Sequence, residues 1–166
     1  GLDPEIVDAP CTALLAGGRN LFALEEGASY LFVHMGWDDT SLAVLAGREV
    51  RFVGAFPHGL GKIAQRLIRD GSLPPGGLEE LLREGFEAGE LLDPCIREVL
   101  IALSRIDQPQ AGYTLVPTGY ACSIRDFAQR LAASAGIAPG MPEMVPSACS
   151  LSLAEVLEGF LPASLA

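Results

Sequence analysis

Residues 30–56 read YLFVHMGWDDTSLAVLAGREVRFVGAF, three short apolar runs joined by two tight turns. The first run, 30–35, is apolar almost throughout, which predicts a strand buried on both faces. A second strand is expected over 41–45. Ala46-Gly47-Arg48 makes a hairpin turn, and 49–56 alternates as a third strand. Its alternation puts Val50, Phe52 and Gly54 on one face and Arg51, Val53 and Ala55 on the other. The turn over 34–40 has the outline of a phosphate-binding loop between two strands. Its chemistry departs from that use: Trp37 adds bulk, and Asp38 and Asp39 place two negative charges where a phosphate would sit. Like charges ~4 Å apart repel by ~1 kcal/mol in water, and by more where partly buried.

Downstream the hydrophobic period changes from two to 3.6. Pro57-His58-Gly59 breaks the sheet, and 60–69 forms a helix with Leu60, Ile63, Ala64, Leu67 and Ile68 on one side. A Gly- and Pro-rich loop over 71–77 leads to a second helix over 78–86. Residues 59–91 read as a small helical insertion in a core built from 1–58 and 92–166. Asp93 as N-cap and Pro94 as first residue open a helix striped by Ile96, Val99, Leu100 and Leu103. A strand follows over 113–116. Ser123 opens the next helix, with Asp126 in the capping position and Ile124, Phe127 and Leu131 facing inward. Gly136 stops it, 141–145 reads as a last strand, and Ser152 with Glu155 opens a final helix through 160. Upstream, 5–9 is a short strand, 10–15 a small helix, and 19–28 an irregular connection or edge strand. A helix between successive single strands implies parallel crossovers. The expectation is an α/β fold with a mixed sheet of about five strands and flanking helices.

Composition narrows the function classes. The chain has 166 residues, 49% hydrophobic and 19% charged, enough for one filled core with or without a small subdomain. Its net charge of −10 disfavours nucleic acid, and there is no basic run to dock on anionic lipid. No apolar stretch approaches the ~18 residues of a spanning helix. Residues 1–4 lack the basic and apolar regions of a signal peptide and read as a cut edge rather than a natural start. Cys11, Cys95, Cys122 and Cys149 lie far apart in sequence, so no zinc or redox motif forms, and they read as buried, reduced thiols of a cytoplasmic protein. His34 and His58 are the only histidines, and no metal site is expected. His34 reads as a strand-end histidine capped by a neighbouring carbonyl. Trp37 is either a half-buried loop aromatic or an exposed contact anchor. There is no serine elbow, Cys–His pairing or H-E-x-x-H, and Glu79, Glu80 and Glu84 form a solvated helix face beside Arg83.

The order of these segments resembles the second half of an actin-like ATPase domain, which is ribonuclease H-like. It is most similar to PilM-type pilus assembly proteins and the related type II secretion L protein, which are similar in turn to FtsA. Residues 1–8, GLDPEIVD, resemble the lead-in between the family's two halves. Val33-His34-Met35-Gly36-Trp37-Asp38-Asp39-Thr40 stands where the family has its second phosphate loop, D-x-G-x-x-T-T. Phe56-Pro57-His58-Gly59-Leu60-Gly61-Lys62-Ile63 resembles the passage from third strand into inserted helices. Val116-Pro117-Thr118-Gly119-Tyr120-Ala121 stands where the family has an adenosine motif of three glycines. The resemblance implies a nucleotide site using Gly36, Thr40, Thr118 and Gly119. It is a degenerate one, because His34 replaces the loop's first acid and Tyr120 replaces a glycine. It also implies no catalytic residue and no resident cofactor in this chain, with ATP and magnesium reserved for a whole two-lobed protein. The implied role is a cytoplasmic scaffold, peripheral to the inner membrane, that binds membrane or ATPase components of a pilus or secretion machine. The acidic balance favours a partner with a basic patch, the helices over 60–90 are the expected surface, and homodimerisation stays open. The alternative is an active ATPase or sugar-kinase relative of the same fold.

Overall fold

The computed structural model describes residues 24–47, 49–74, 76–106 and 112–139. The three apolar runs form β1 (Ser29–Met35), β2 (Thr40–Ala46) and β3 (Glu49–Phe56), an antiparallel meander. β4 (Thr114–Gly119) lies parallel to β1, and β5 (Ala138–Pro139) parallel to β4, so the five-stranded sheet has the order β3-β2-β1-β4-β5. The central strands read as continuous apolar runs because both their faces are covered. Leu31, Val33, Met35, Leu42, Val44 and Leu115 join one core cluster, while Tyr30, Phe32, Ala43, Leu45 and Val116 form a second.

β3 departs from simple alternation. Val44 stands opposite Phe52 but Leu45 opposite Val50, which leaves Arg51 as the extra residue of a bulge. Val50 and Phe52 therefore do not share a face. Val50 falls on the side of Leu45, and Phe52 on the side of Val44, where it packs against the larger cluster.

The helices follow the apolar spacing, with shifted ends. α1 (Leu60–Arg69) is as expected. α2 (Leu78–Glu84) stops before 86, because Gly85 turns the chain at φ 73° and Phe86 leaves to bridge Ile124 in parallel. A 3-10 turn over Gly89–Leu92 leads into α3 (Asp93–Leu103). Asp93 is the first helical residue rather than the cap, and its carboxylate accepts from Arg130 at 2.7 Å. After β4 a second 3-10 turn, Tyr120–Ser123, precedes α4 (Phe127–Ala135), so this helix starts later than Ser123. Gly136 ends it in the left-handed conformation expected of a stop. Leu60, Ile63, Phe86 and Ala88, from the segment 59–91, sit in the same core cluster as Leu92, Val99, Leu115 and Phe127. The expected strands at 5–9 and 141–145 and helices at 10–15 and 152–160 lie outside the described residues.

Asp126 has a different task from a capping box. Its two carboxylate oxygens accept the backbone N–H groups of Ala88 and Gly89 at 2.9 and 2.8 Å, which ties the end of the inserted segment to α4. Asp126→Ala is expected to cost about 2–3 kcal/mol, because two main-chain donors lose a charged acceptor. The urea midpoint measures this; a loss below about 0.5 kcal/mol, typical of plain surface changes, would make the two bonds dispensable.

Candidate functional site

β1 and β4 run in parallel and end side by side, with His34 opposite Thr118 and Met35 opposite Gly119. The carboxyl ends of such strands are where α/β sheets hold ligands. Two loops meet there, residues 36–39 after β1 and the 3-10 turn after β4. Across them the Trp37 and Tyr120 rings stand edge to face, their centroids 6.4 Å apart and planes at 71°. Both are exposed, at 43% and 37%. Trp37 is thus an exposed aromatic rather than a half-buried one.

Turn 36–39 is stitched to the start of α1. Gly36 N–H donates to the Asp39 carbonyl at 2.8 Å, which closes the turn. The Gly36 carbonyl accepts from Leu60 N–H at 3.0 Å and the Trp37 carbonyl from Gly61 N–H at 2.8 Å. The first N–H groups of a helix have no partner within it, and here the turn supplies two. α1 has no side-chain cap, so these loop carbonyls are its cap. Two glycines allow the approach. A β-carbon on Gly59 would lie 2.3 Å from the Trp37 carbonyl oxygen, and one on Gly61 would lie 3.0 Å from the Trp37 ring.

The four residues expected at the site come to one end of the sheet but face different ways. Gly36 begins the turn. Thr40, opposite Met35, is fully buried; its hydroxyl donates to the His58 carbonyl at 2.6 Å and lies 3.8 Å from the Cys95 thiol, which donates to it. Thr118 Oγ1 lies 3.2 Å from His34 Nδ1, so the partner of the strand-end histidine is a hydroxyl and not a carbonyl. Gly119 has φ 62° and ψ −141°, and a β-carbon there would lie 2.6 Å from the Met35 carbonyl oxygen. Sequence spacing did not identify His58 and Cys95 as the partners of Thr40, because both bonds join residues far apart in the chain.

The thiols differ from one another. Cys95 is buried, and that burial pushes its thiol up to about 11, only partly offset by the Thr40 hydroxyl. Cys122 is exposed, against expectation, although partial burial still raises its thiol; its S–H reaches the Pro117 carbonyl at 3.4 Å. In a Cys11→Ser, Cys149→Ser background, Cys122 should label with a disulfide reagent in the native state and Cys95 only on unfolding. Because the folded thiol of Cys95 ionises above its ordinary value of 9.0, its contribution to stability is complete below pH 9 and lost as pH rises towards about 11. Denaturation from pH 8 to 11 should include a Cys95 share of about 1.4 kcal/mol per pH unit at most, which Cys95→Ala removes. An unchanged slope in that variant would refute the assignment.

Among the described residues no group of three or more His, Cys, Asp and Glu side chains could hold a metal, and no helix is long and apolar enough to cross a membrane. No protein-family model and no curated protein matches the chain. Solved structures do. The PilM–PilN type IV pilus biogenesis complex matches with a TM-score of 0.58 at 20% identity, over 98% of this chain and 55% of that one. MreB5 of Spiroplasma citri bound to AMPPNP matches with a TM-score of 0.58 at 12% identity, over 89% of this chain and 56% of that one. Ethanolamine utilization protein EutJ from Carboxydothermus hydrogenoformans matches with a TM-score of 0.50 at 17% identity, over 80% and 47%. The chain spans about half the length of each of these proteins. At such identities the likeness is one of fold: the chain is an α/β actin-like half domain that resembles PilM.

Proposed function

We propose that this chain is a non-catalytic scaffold domain with a degenerate nucleotide site, which binds partner proteins in the cytoplasmic platform of a type IV pilus or type II secretion machine. The observation that carries the reading is the use already made of turn 36–39. A phosphate-binding turn needs small side chains and backbone N–H groups aimed at the ligand. This one spends Gly36 N–H on its own closure and two carbonyls on capping α1, while Trp37 reaches across to Tyr120 and Asp38 and Asp39 add negative charge. Thr40 turns its hydroxyl inward to His58. The partner role is supported by the likeness to a protein solved in a complex, PilM with PilN. Position at the inner membrane would come through such a partner or through a segment outside this chain.

The alternative is an active ATP-binding protein of the same fold. It is supported by the likeness to MreB5 bound to AMPPNP and by the glycines at 36 and 119. Calorimetry of magnesium-ATP against the intact protein separates the two. No heat and no rise in melting temperature at millimolar ATP is the expected result. Saturable binding that is lost in Gly36→Asp would overturn the scaffold reading in favour of the alternative.

A further inference from the structure

We infer that the cleft between α1 and the corner where the 3-10 turn Gly89–Leu92 enters α3 is a docking slot for an acidic peptide segment with an apolar anchor, carried by a partner protein. The cleft has a volume of about 420 Å³, within the range of ligand pockets. Ile63, Leu91, Pro94 and Cys95 give it apolar walls, and the Cys95 thiol is already spent on Thr40. Lys62 and Arg66, one helical turn apart on α1, form one rim, with Glu90 facing them.

The charge of this rim runs against the balance of the chain. The chain carries 21 acidic and 11 basic residues, yet α1 has Lys62, Arg66 and Arg69 and no acid within its ten residues. The net charge of −10 would repel an acidic partner at long range. That repulsion is screened beyond about 8–10 Å in physiological salt, so at contact the local cations decide. They are free to exchange partners. Lys62 Nζ donates to the exposed Pro57 carbonyl, and Arg66 meets Asp70 at 3.3 Å with both side chains more than half exposed. An exposed pair of that kind holds weakly. An incoming carboxylate can replace Asp70 on Arg66 while an aliphatic side chain displaces water from the walls.

The slot includes no residue of turn 36–39 and none of residues 118–120; its inner wall, at His58, Gly59 and Cys95, backs onto Thr40 and Trp37. It names the partner chemistry of the scaffold reading and rests on that reading. The nucleotide calorimetry tests the scaffold reading without touching α1, and the peptide experiment tests the slot without nucleotide, so the two can fail separately.

The test is fluorescence anisotropy of a short fluorescein-labelled peptide of leucine and glutamate, titrated with the intact protein and with a Lys62→Glu, Arg66→Glu variant. Saturable binding, weakened about tenfold or more by the double reversal, is the expected result. Both replaced side chains are exposed, so the variant should keep its circular dichroism and melting temperature. Equal affinity for both proteins, or no saturation by about 1 mM (a binding free energy near −4 kcal/mol), would overturn the assignment. Full competition by inorganic phosphate at matched concentration would also overturn it, since the slot would then recognise a small anion and not a peptide.

Discussion

Gly59→Ala should unfold this domain more readily than any exposed substitution, with a loss of about 3 kcal/mol or more. The backbone at Gly59 is extended, at φ −101° and ψ −179°, so any residue could adopt its conformation. The obstacle is contact. A β-carbon would lie 2.3 Å from the Trp37 carbonyl oxygen, 2.5 Å from its carbon and 2.7 Å from the Asp38 carbonyl carbon. All three are main-chain atoms and cannot swing aside. To admit a methyl group, turn 36–39 must part from α1, and that breaks the two hydrogen bonds that cap the helix. Gly61→Ala is the internal control. Its β-carbon would lie 3.0 Å from the Trp37 ring, which is exposed and can move, and 3.0 Å from the Trp37 carbonyl oxygen, a milder approach than the 2.3 Å at Gly59. Thermal melting should fall by roughly 10 °C for Gly59→Ala, given about 2–4 °C per kcal/mol at this chain length, and much less for Gly61→Ala. Equal melting of the two variants would mean that the turn and the helix are not stitched as described.

Gly119→Ala should cost about as much, for two reasons that add. Its φ of 62° with ψ of −141° lies in a region open almost only to glycine, a strain of order 1–3 kcal/mol for another residue. The new β-carbon would also lie 2.6 Å from both the Met35 carbonyl oxygen and His34 Cε1. The loss should be present with no nucleotide in the tube, since it arises from β1 and β4 alone. The requirement for glycine at a motif position therefore has a ligand-free cause here. A variant that folds with unchanged stability would return Gly119 to a purely ligand-binding explanation.

The meander and the helices among the described residues were legible because their signals are local. A nearly continuous apolar run at 30–35, a hairpin glycine at 47 and a 3.6-residue stripe at 60–69 each need only near neighbours. What escaped was set by partners distant in sequence. Asp126 fits the local rule for a helix start, yet its acceptors serve N–H groups about forty residues upstream. Thr40 fits a phosphate loop, yet its hydroxyl answers a carbonyl 18 residues on. The bulge at Arg51 left no mark in the alternation of side chains, because it is a register shift of the backbone against β2. Trp37 was recognisable as out of place in a phosphate turn. Its contact with Tyr120 depends on β4 arriving beside β1, which no local pattern encodes.

That arrival has a kinetic consequence. β1 and β4 are 84 residues apart where His34 meets Thr118, and closing a loop of that length costs about 4 kcal/mol in chain entropy before any contact repays it. The meander closes over short turns and can form early, whereas parallel pairing of distant strands is intrinsically slow. Trp37 is the single tryptophan in the chain, and its ring contact with Tyr120 spans the seam between β1 and β4. Its emission should therefore report the closing of the β1–β4 seam as a step distinct from, and slower than, formation of the meander.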